Sequence, residues 1–379
     1  MELANTLSGN SDIPHAWRGA RRVLVVRLDN LGDVLLMTPA IHALRRSLPA
    51  VEITLLASAV GAQAGLLNPD IDDVIVYESP LVDPWQRLPH DSRREKNMIL
   101  LLKECCFDGA IIFTSFRQSA LPTAYLCYLA DVPLRAAASV DGCGSLLTTR
   151  YRPALPMRHE VEHALDLVGA LGLRTDELDM VLQIPEDARM KMECLRARLA
   201  YDHPLIIVHP GCSMPARTYP WELYAAAVDQ LIMRIGATVI FTGTDDEREL
   251  VERIRARMLP ACAAQTTSLT GELSFGELCA LVSVADLTIT NNTGPMHVSA
   301  AVKTPVVALF ALTNPPQQWH PWRVRHRLLY QKVPCQLCYS RVCPRGHECL
   351  RGVEPTQVVD AAVELLGELP VRKEDQGLR

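Results

Sequence analysis

The sequence has no apolar run long enough to cross a membrane and no excess of positive charge. No stretch approaches the roughly 18 to 20 consecutive apolar residues that a transmembrane helix needs. Lys and Arg number 38 and Asp and Glu number 43, so the net charge is −5, whereas a general nucleic-acid binder usually carries a basic surface. Residues 1–20 lack the apolar stretch of a secretory signal. We therefore expect a cytoplasmic protein with a flexible tail over residues 1–20 and no nucleic-acid partner.

Two common nucleotide-binding fingerprints are absent as well. The sequence contains neither GxGxxG nor GxxxxGK followed by Ser or Thr, which argues against a dinucleotide-dependent dehydrogenase and a P-loop NTPase. It also has no short repeat and no low-complexity tract. Apolar residues make up 49% and charged residues 21% of the 379 residues. That is the composition of a packed globular protein, with enough chain for two domains.

What the sequence does have is an alternation of strand-like and helix-like segments. The apolar runs expected to be strands are residues 22–27, 51–57, 73–77, 109–114, 205–208, 237–242, 286–290 and 304–310. Helical patterns lie between them, and a polar stretch at residues 174–186 suits a linker. The pattern predicts an α/β protein of two Rossmann-like doubly wound domains that face a central cleft. We expect them at residues 21–178 and 179–354, followed by a C-terminal helix and tail at residues 355–379.

The polar turns after the strands are where function is expected, because ligands of open α/β sheets bind at the carboxyl ends of the strands. In the first turn, RLDNLGD at residues 27–33, Asp33 stands at the start of a helix. An aspartate there is an ordinary helix cap, whose removal costs about 1 kcal/mol. It is also a carboxylate at the edge of a cleft that could accept a proton. The spacing alone leaves both interpretations open.

Two further turns suit an anion. After residues 205–208, Gly211 and Ser213 lie in a loop that lets backbone N–H groups approach a ligand, and Arg217 could clamp a phosphate or be a solvated surface residue. The turn NNTGPMH at residues 291–297 opens a helix, whose positive end attracts anions. A helix start with Pro295 in its first turn explains the same residues without any ligand.

Four segments together resemble glycosyltransferase family 9, the ADP-heptose:lipopolysaccharide heptosyltransferases. They are VLVVRLDNLGDVLLMTPAIHALR at residues 23–45, VHPGCSMPARTYPWELYAAAVDQL at 208–231, VIFTGTDDERELVERI at 239–254, and LTGELSFGELCALVSVADLTITNNTGPMHVSAAVKTPVVALF at 269–310. The resemblance covers residues 22–366. It implies a GT-B fold with the acceptor on the N-terminal domain and the sugar nucleotide on the C-terminal domain.

The resemblance also implies an activity. Such an enzyme transfers heptose from ADP-L-glycero-D-manno-heptose to the lipopolysaccharide inner core with inversion and without a required cofactor. Its acceptor is a lipid-linked oligosaccharide of the lipid A–Kdo type, so peripheral contact with the inner face of the cytoplasmic membrane is expected. Two alternatives stay open: transfer from another nucleotide sugar to a different cell-surface glycan, and a catalytically inactive protein that binds a sugar nucleotide.

The resemblance assigns expected roles to individual residues. Asp33 falls on the catalytic base, and Arg117 falls in a segment that faces the acceptor. The expected donor-binding residues are Ser213, Arg217, Glu247, Leu273, Asn292, Thr293, Gly294 and His297. Within that set Arg217 would hold phosphate, Glu247 the ribose hydroxyls and Leu273 the adenine. Asn292 departs from the family, which usually has aspartate there, and this uncharged amide puts the donor sugar in question.

Four of the 12 cysteines are clustered near the C-terminus. They are Cys335, Cys338, Cys343 and Cys349, within residues 335–349. The spacing is compatible with a structural zinc site, in which four thiolates surround the ion. Free thiols or occasional disulfides are the alternative, and the cluster is not expected to take part in catalysis.

Overall fold

The computed structural model describes residues 13–81, 88–115, 118–153, 158–199 and 203–368. The chain divides into two compact units, Met1–Gln183 and Ile184–Arg379, close to the boundary expected after residue 178. Each unit is built on one six-stranded sheet, and all strand pairs in both sheets are parallel. None of the helices in the described part of the chain is long and apolar enough to span a bilayer.

The first unit has the strand order β3-β2-β1-β4-β5-β6. Its strands are β1 Arg22–Arg27, β2 Glu52–Ala57, β3 Asp73–Val76, β4 Gly109–Ile112, β5 Leu134–Ala138 and β6 Thr149–Tyr151. Its helices are α1 His15–Arg18, α2 Leu31–Ser47, α3 Ala59–Gly65, α4 Ser92–Glu104, α5 Leu121–Leu129 and α6 Glu160–Gly169. The strand order reverses between β1 and β4. Ligands bind at such a switch point, beyond the carboxyl ends of the two strands.

The second unit has the strand order β12-β11-β10-β7-β8-β9, so its order reverses between β7 and β10. Its strands are β7 Leu205–His209, β8 Thr238–Phe241, β9 Thr266–Ser268, β10 Leu287–Asn291, β11 Val306–Leu309 and β12 His326–Leu329. Its helices are α7 Glu186–Arg198, α8 Trp221–Ile235, α9 Arg248–Arg257, α10 Pro260–Ala263, α11 Phe275–Val284, α12 Gly294–Ala301, α13 Pro316–Trp319, α14 Glu348–Arg351 and α15 Pro355–Gly367. Two 3-10 turns, Pro215–Arg217 and Asp245–Glu247, follow β7 and β8.

The expected N-terminal tail needs a correction over residues 13–20. Ile13 and Trp17 are each only 1% exposed. The ring of Trp17 packs against Gly109 at the start of β4, where an added Cβ would overlap it. Burial of this indole fixes the segment that leads into β1, since an aromatic ring removes a large apolar area from water. Residues 1–12 lie outside the described residues.

The C-terminal helix α15 is part of the second unit's core rather than a separate segment. Val358, Val359, Ala362 and Leu365 are buried in the same apolar cluster as residues of β7, β8 and α8. Their spacing of three and four residues places them on one face of the helix. Residues 369–379 are outside the described part of the chain.

Candidate active site

Arg27, the last residue of β1, is the centre of a charged cluster in the first unit. Its side chain is only 5% exposed, and its Nε lies 2.8 Å from Asp29 Oδ2. Its Nη2 lies 2.9 Å from Asp33 Oδ1 and donates to Ser115 Oγ, which follows β4, at 2.6 Å. The cluster therefore joins the carboxyl ends of the two strands between which the sheet order reverses.

Asp33 is the third residue of α2, and the residue that caps this helix is Asn30 rather than Asp33. Its Oδ2 accepts the backbone N–H of Asn30 at 3.1 Å, as the third helical residue of a capping box does. Its Oδ1 meets Arg27 and accepts the Ser115 hydroxyl at 3.3 Å. The carboxylate is thus oriented by three groups, with 14% of the side chain exposed. Asp33 was expected in the site, whereas Arg27 and Ser115, which orient it, were not.

The charges in this cluster act on one another. Burial opposes the positive charge of Arg27, but Asp29, Asp33 and Glu160 raise its pKa, so it remains a cation. Burial raises the pKa of Asp29 and Asp33 adds to that rise, while Arg27 works against it. The environment of Asp29 therefore disfavours its charge, although the residue is paired with an arginine.

A pocket of about 270 Å³ lies beside this cluster. Its lining comes from the ends of β1 and β4, from the segment that leads into α5 and the start of that helix, and from the segment after β3. These residues are Val26, Leu28, Asp29, Leu81, Phe113, Thr114, Gln118, Ser119, Pro122 and Thr123. Gln118 donates to Asp29 Oδ1 at 2.5 Å, which fixes one polar wall. The mixture of apolar walls and a few polar groups is typical of a small-molecule site. Arg117, the expected acceptor contact, lies outside the described residues.

In the second unit, Glu247 lies at the carboxyl edge of β7 and β8. It ends the turn Asp245–Glu247, and its Oε2 accepts the backbone N–H of Thr244 at 2.8 Å. The carboxylate packs directly on Gly211, where an added Cβ would overlap it. This is the location in which a carboxylate could accept hydrogen bonds from the two hydroxyls of a ribose.

His209, the last residue of β7, lies next to the carboxylate of Glu247. Its Nε2 lies 3.6 Å from Glu247 Oε2, and its Nδ1 lies 3.1 Å from Thr242 Oγ1. Burial lowers the pKa of His209, and Glu247 only partly offsets this. The imidazole is therefore neutral near pH 7. His209 was not among the residues expected to form the site, although it directly follows the apolar run at residues 205–208.

Arg217 ends the turn Pro215–Arg217 and is half-buried. Its Nε donates to Thr313 Oγ1 at 3.0 Å. The turn is held from outside by the cysteine-rich segment, since Ala216 donates its N–H to the carbonyl of Arg341 at 2.8 Å. His347 Nε2 also lies 3.0 Å from the carbonyl of Pro215. The expected phosphate residue is thus on a fixed turn at the carboxyl edge of the sheet.

Asn291, which ends β10, and Asn292, which follows it, are both buried. Asn291 Oδ1 accepts the N–H of Tyr219 at 3.0 Å, and its Nδ2 donates to the carbonyl of Pro210 at 2.8 Å. Asn292 Oδ1 accepts the N–H of Ala311 at 3.1 Å, and its Nδ2 donates to Asn314 Oδ1 at 3.1 Å. Asn292, expected to bind the donor, therefore uses its amide within the fold.

The remaining expected donor residues are distributed along the same edge of the sheet. Thr293 precedes α12, Gly294 begins it, and His297 is buried within it. Ser213 is exposed in the loop after β7, and Leu273 is half-buried in the loop that follows β9. The structure places all of them in segments after β7, β9 or β10.

The four clustered cysteines line a small cavity of about 20 Å³ together with Ala216, Leu312, Thr313, Val333, Pro344 and Glu348. All four are free thiols. Within the described ranges, no group of three or more His, Cys, Asp or Glu side chains is arranged to hold a metal ion. The structural zinc stays a prediction, beside the alternative of free thiols.

Comparison with known proteins points to one family. The model of glycosyltransferase family 9 (heptosyltransferase) matches residues 98–348. Lipopolysaccharide heptosyltransferase 3 of Escherichia coli is 25% identical over 346 residues, which cover 89% of this chain and 96% of that protein. Lipooligosaccharide heptosyltransferase 2 of Campylobacter jejuni is 28% identical over 179 residues, which cover 45% of this chain and 56% of that protein.

A solved structure shares the fold. The structure of E. coli ADP-heptose lps heptosyltransferase II aligns with a TM-score of 0.71 at 21% identity, covering 91% of this chain and 98% of that one. This likeness confirms the α/β, GT-B fold class with its two Rossmann-like units. The family model spans well over half of the 379 residues. The chain therefore belongs to glycosyltransferase family 9.

Proposed function

We propose that this protein transfers heptose from ADP-L-glycero-D-manno-heptose to the lipopolysaccharide inner core, with inversion at the anomeric carbon. Membership of family 9 and the heptosyltransferase relatives support heptosyl transfer. The observation that carries the proposal is the Asp33 carboxylate, oriented by Arg27 and Ser115 in the same charged cluster as the pocket-lining Asp29.

In the proposed step, the acceptor hydroxyl attacks the anomeric carbon from the side opposite the diphosphate. A new carbon–oxygen bond forms while the bond to the diphosphate oxygen breaks, and the electron pair leaves with ADP. Asp33 accepts the hydroxyl proton, which becomes more acidic as its oxygen attacks. Attack from the opposite side inverts the configuration.

Negative charge develops on ADP as it leaves, and positively charged groups of the second unit would stabilise it. Arg217 and the backbone amides of Thr293 and Gly294 would stabilise the negative charge that develops on ADP. Ser213 and His297 would contact the diphosphate, Glu247 the ribose and Leu273 the adenine. In this scheme the transfer step uses no metal ion, because the arginine and the helix end supply the positive charge.

The first unit contains the proposed binding site for the acceptor. The pocket of about 270 Å³ that Asp29 lines is the proposed binding site for the reacting sugar of a lipid A–Kdo-type oligosaccharide. A lipid-linked acceptor would bring the protein into peripheral contact with the inner face of the cytoplasmic membrane.

One observation favours a nucleotide sugar other than ADP-heptose as the donor. Asn292 is uncharged and its amide is bonded to Ala311 and Asn314 inside the fold. Transfer from another nucleotide sugar to a different surface glycan therefore remains the alternative function. Calorimetric titration with ADP-heptose, ADP, UDP and GDP distinguishes the two: selective binding of ADP and ADP-heptose supports heptosyl transfer, and preference for UDP or GDP contradicts it.

The role of Asp33 is tested by the Asp33→Asn variant. Loss of a general base lowers the turnover number by about 10²- to 10⁴-fold, and we expect ADP affinity to stay within about twofold of wild type. Asp166→Asn is the matched control, because Asp166 pairs with Arg158 on a partly exposed face of the same unit. The role of Asp33 is refuted if its variant turns over as fast as the control, whether both keep wild-type turnover or both lose the same fraction of it.

A further inference from the structure

We infer that Thr313, Asn314 and Asn292 form an uncharged hydrogen-bond relay that positions Arg217 for the donor diphosphate. The inference rests on the proposed role of Arg217 in the second unit. It adds three positioning residues to that site, two of which, Thr313 and Asn314, had no expected role.

The direction of every bond in the relay follows from one backbone group. The N–H of Ala311 donates to Asn292, so the oxygen of that amide must face Ala311 at 3.1 Å. The nitrogen of Asn292 then faces Asn314 and requires an oxygen there, at 3.1 Å. Since a backbone N–H cannot accept a hydrogen bond, neither amide can be reversed without losing a bond.

The relay continues to the arginine. Thr313 donates its hydroxyl to Asn314 Oδ1 at 3.4 Å. The lone pairs of Thr313 Oγ1 are therefore available to accept, and Arg217 Nε donates to this oxygen at 3.0 Å. Asn292, Thr313 and Asn314 are each 5% exposed or less, so water cannot easily replace these bonds.

The backbone around Thr313 is fixed as well. The carbonyl of Thr313 accepts the N–H of Tyr339 at 2.8 Å, and the carbonyl of Leu312 accepts the N–H of Leu337 at 2.6 Å. The hydroxyl that accepts from Arg217 therefore has a defined position. Because the guanidinium is planar, anchoring Nε sets the plane in which its other donors lie.

An aspartate at position 292 would break this arrangement. Its carboxylate could accept from Ala311 but has no proton for Asn314 Oδ1. Asn314 would have to turn its nitrogen towards it, and Thr313 would lose its acceptor. The amide at 292 therefore keeps the relay uncharged and correctly oriented, which gives the departure from the family pattern a physical role.

The experiment is a double-mutant cycle on Thr313 and Arg217, read out as binding of ADP and of adenosine by calorimetry. Without the Thr313 hydroxyl, the side chain of Arg217 has to be immobilised when ADP binds, and this costs binding free energy. Thr313→Val should therefore weaken ADP binding by about three- to tenfold, while adenosine binding stays unchanged. Thr313→Ser should restore ADP binding. In the Arg217→Ala background, Thr313→Val should weaken ADP binding no further, because the residue acts through the arginine.

Thr288→Val is the matched control. Thr288 is fully buried in β10, and its hydroxyl has no hydrogen-bond partner in the parts of the chain that the structure describes. Asn292→Asp should weaken ADP binding in the same direction as Thr313→Val. Wild-type ADP affinity in Asn292→Asp or Thr313→Val, or a loss that persists in the Arg217→Ala background, overturns the inference.

The cycle also separates this inference from the proposed function. If Arg217→Ala itself leaves the ratio of ADP to adenosine affinity unchanged, the proposed diphosphate role of Arg217 is wrong. If Arg217→Ala lowers that ratio and Thr313→Val does not, the diphosphate role stands and the relay is wrong.

Discussion

Arg27 and Arg217 both lie at the carboxyl edge of a parallel sheet, one in each unit, but the Nε atoms of the two side chains meet different partners. Nε of Arg27 lies 2.8 Å from the carboxylate of Asp29. Nε of Arg217 donates to the hydroxyl of Thr313, and uncharged amides continue the network. The carboxylates of Asp29 and Asp33 balance Arg27 within the first unit, whereas Nε of Arg217 is anchored by an uncharged hydroxyl.

The difference teaches that an arginine near a ligand site is not by itself a ligand-binding residue. Arg27 is buried and holds two carboxylates in place, which makes it part of the fold and a positioning group for Asp33. The uncharged Thr313 hydroxyl that accepts from Arg217 Nε suits the proposed role of this arginine in binding phosphate. Removing each cation should therefore have a different consequence, in stability for Arg27 and in nucleotide affinity for Arg217.

The largest expected effect is that of Arg27→Met. Breaking a buried ion pair on one side leaves Asp29 and Asp33 without their counter-charge, which costs about 3 to 5 kcal/mol of unfolding free energy. Urea denaturation measures this. Arg158→Met is the control, because Arg158 is 44% exposed and pairs with Glu162 and Asp166 near the surface, where a loss below about 1 kcal/mol is expected. Equal losses in the two variants would remove the distinction between Arg27 and a surface arginine.

A smaller effect, confined to the second unit, is expected for Gly211→Ala. The added methyl group occupies the space of the Glu247 carboxylate and displaces it from the edge of β7. A misplaced contact of this kind should lower kcat/KM for the donor roughly 10- to 100-fold. Gly367→Ala serves as the control, since an added Cβ there contacts nothing within 4 Å. Unchanged donor kinetics in Gly211→Ala would show that Glu247 does not touch the nucleotide.

The pH dependence of stability gives a third test, through His209. Burial lowers the pKa of this imidazole in the folded protein, so the unfolded state binds more protons than the folded state below about pH 6.5. The unfolding free energy should therefore fall with decreasing pH in that range, by at most about 1.4 kcal/mol per pH unit from this group. Denaturation of wild type and of His209→Asn over this range separates the contribution of His209 to the unfolding free energy from that of the other titrating groups. A difference between them that does not vary with pH would contradict a buried neutral imidazole.

The smallest effect concerns the rates at which the clustered thiols react. Burial raises the pKa of Cys349, and the neighbouring cysteines add to the rise, whereas Cys338 is exposed. Alkylation followed by mass spectrometry should therefore modify Cys338 before Cys349. A structural zinc would instead protect all four cysteines until a chelator is added, and metal analysis of the same sample would detect it.

The central strands of both sheets could be predicted from the sequence, and some outer strands could not. β1 and β7 are continuous apolar runs because helices cover both faces of a parallel sheet. β5 reads LRAAA and β12 reads HRLL, which lack such a run. They become strands because β4 and β11 provide hydrogen-bond partners for their backbones, and a short sequence window does not contain that information.

Residues of the candidate site could be predicted only where their own position in the sequence, such as a turn between a strand and a helix, indicated a role. Asp33 was found because it follows a strand and begins a helix. Arg27 resembles a surface residue at a strand end until Ser115, 88 residues later, is brought against it. Thr313 and Asn314 did carry a signal, since they form a polar turn after the apolar run at residues 304–310. Only the three-dimensional contacts connect that turn to Arg217.

The attachment of the turn Pro215–Arg217 to the cysteine-rich segment has a consequence for biosynthesis. His347 lies 132 residues after Pro215, and Arg341 holds Ala216 across a similar stretch of chain. While the ribosome is still adding residues before position 341, the nascent protein already contains Arg217 but lacks the contacts that Arg341 and His347 make with its turn. A premature stop codon between positions 315 and 341 would therefore leave every proposed donor-binding residue in the chain and still remove two hydrogen bonds that hold the turn of Arg217.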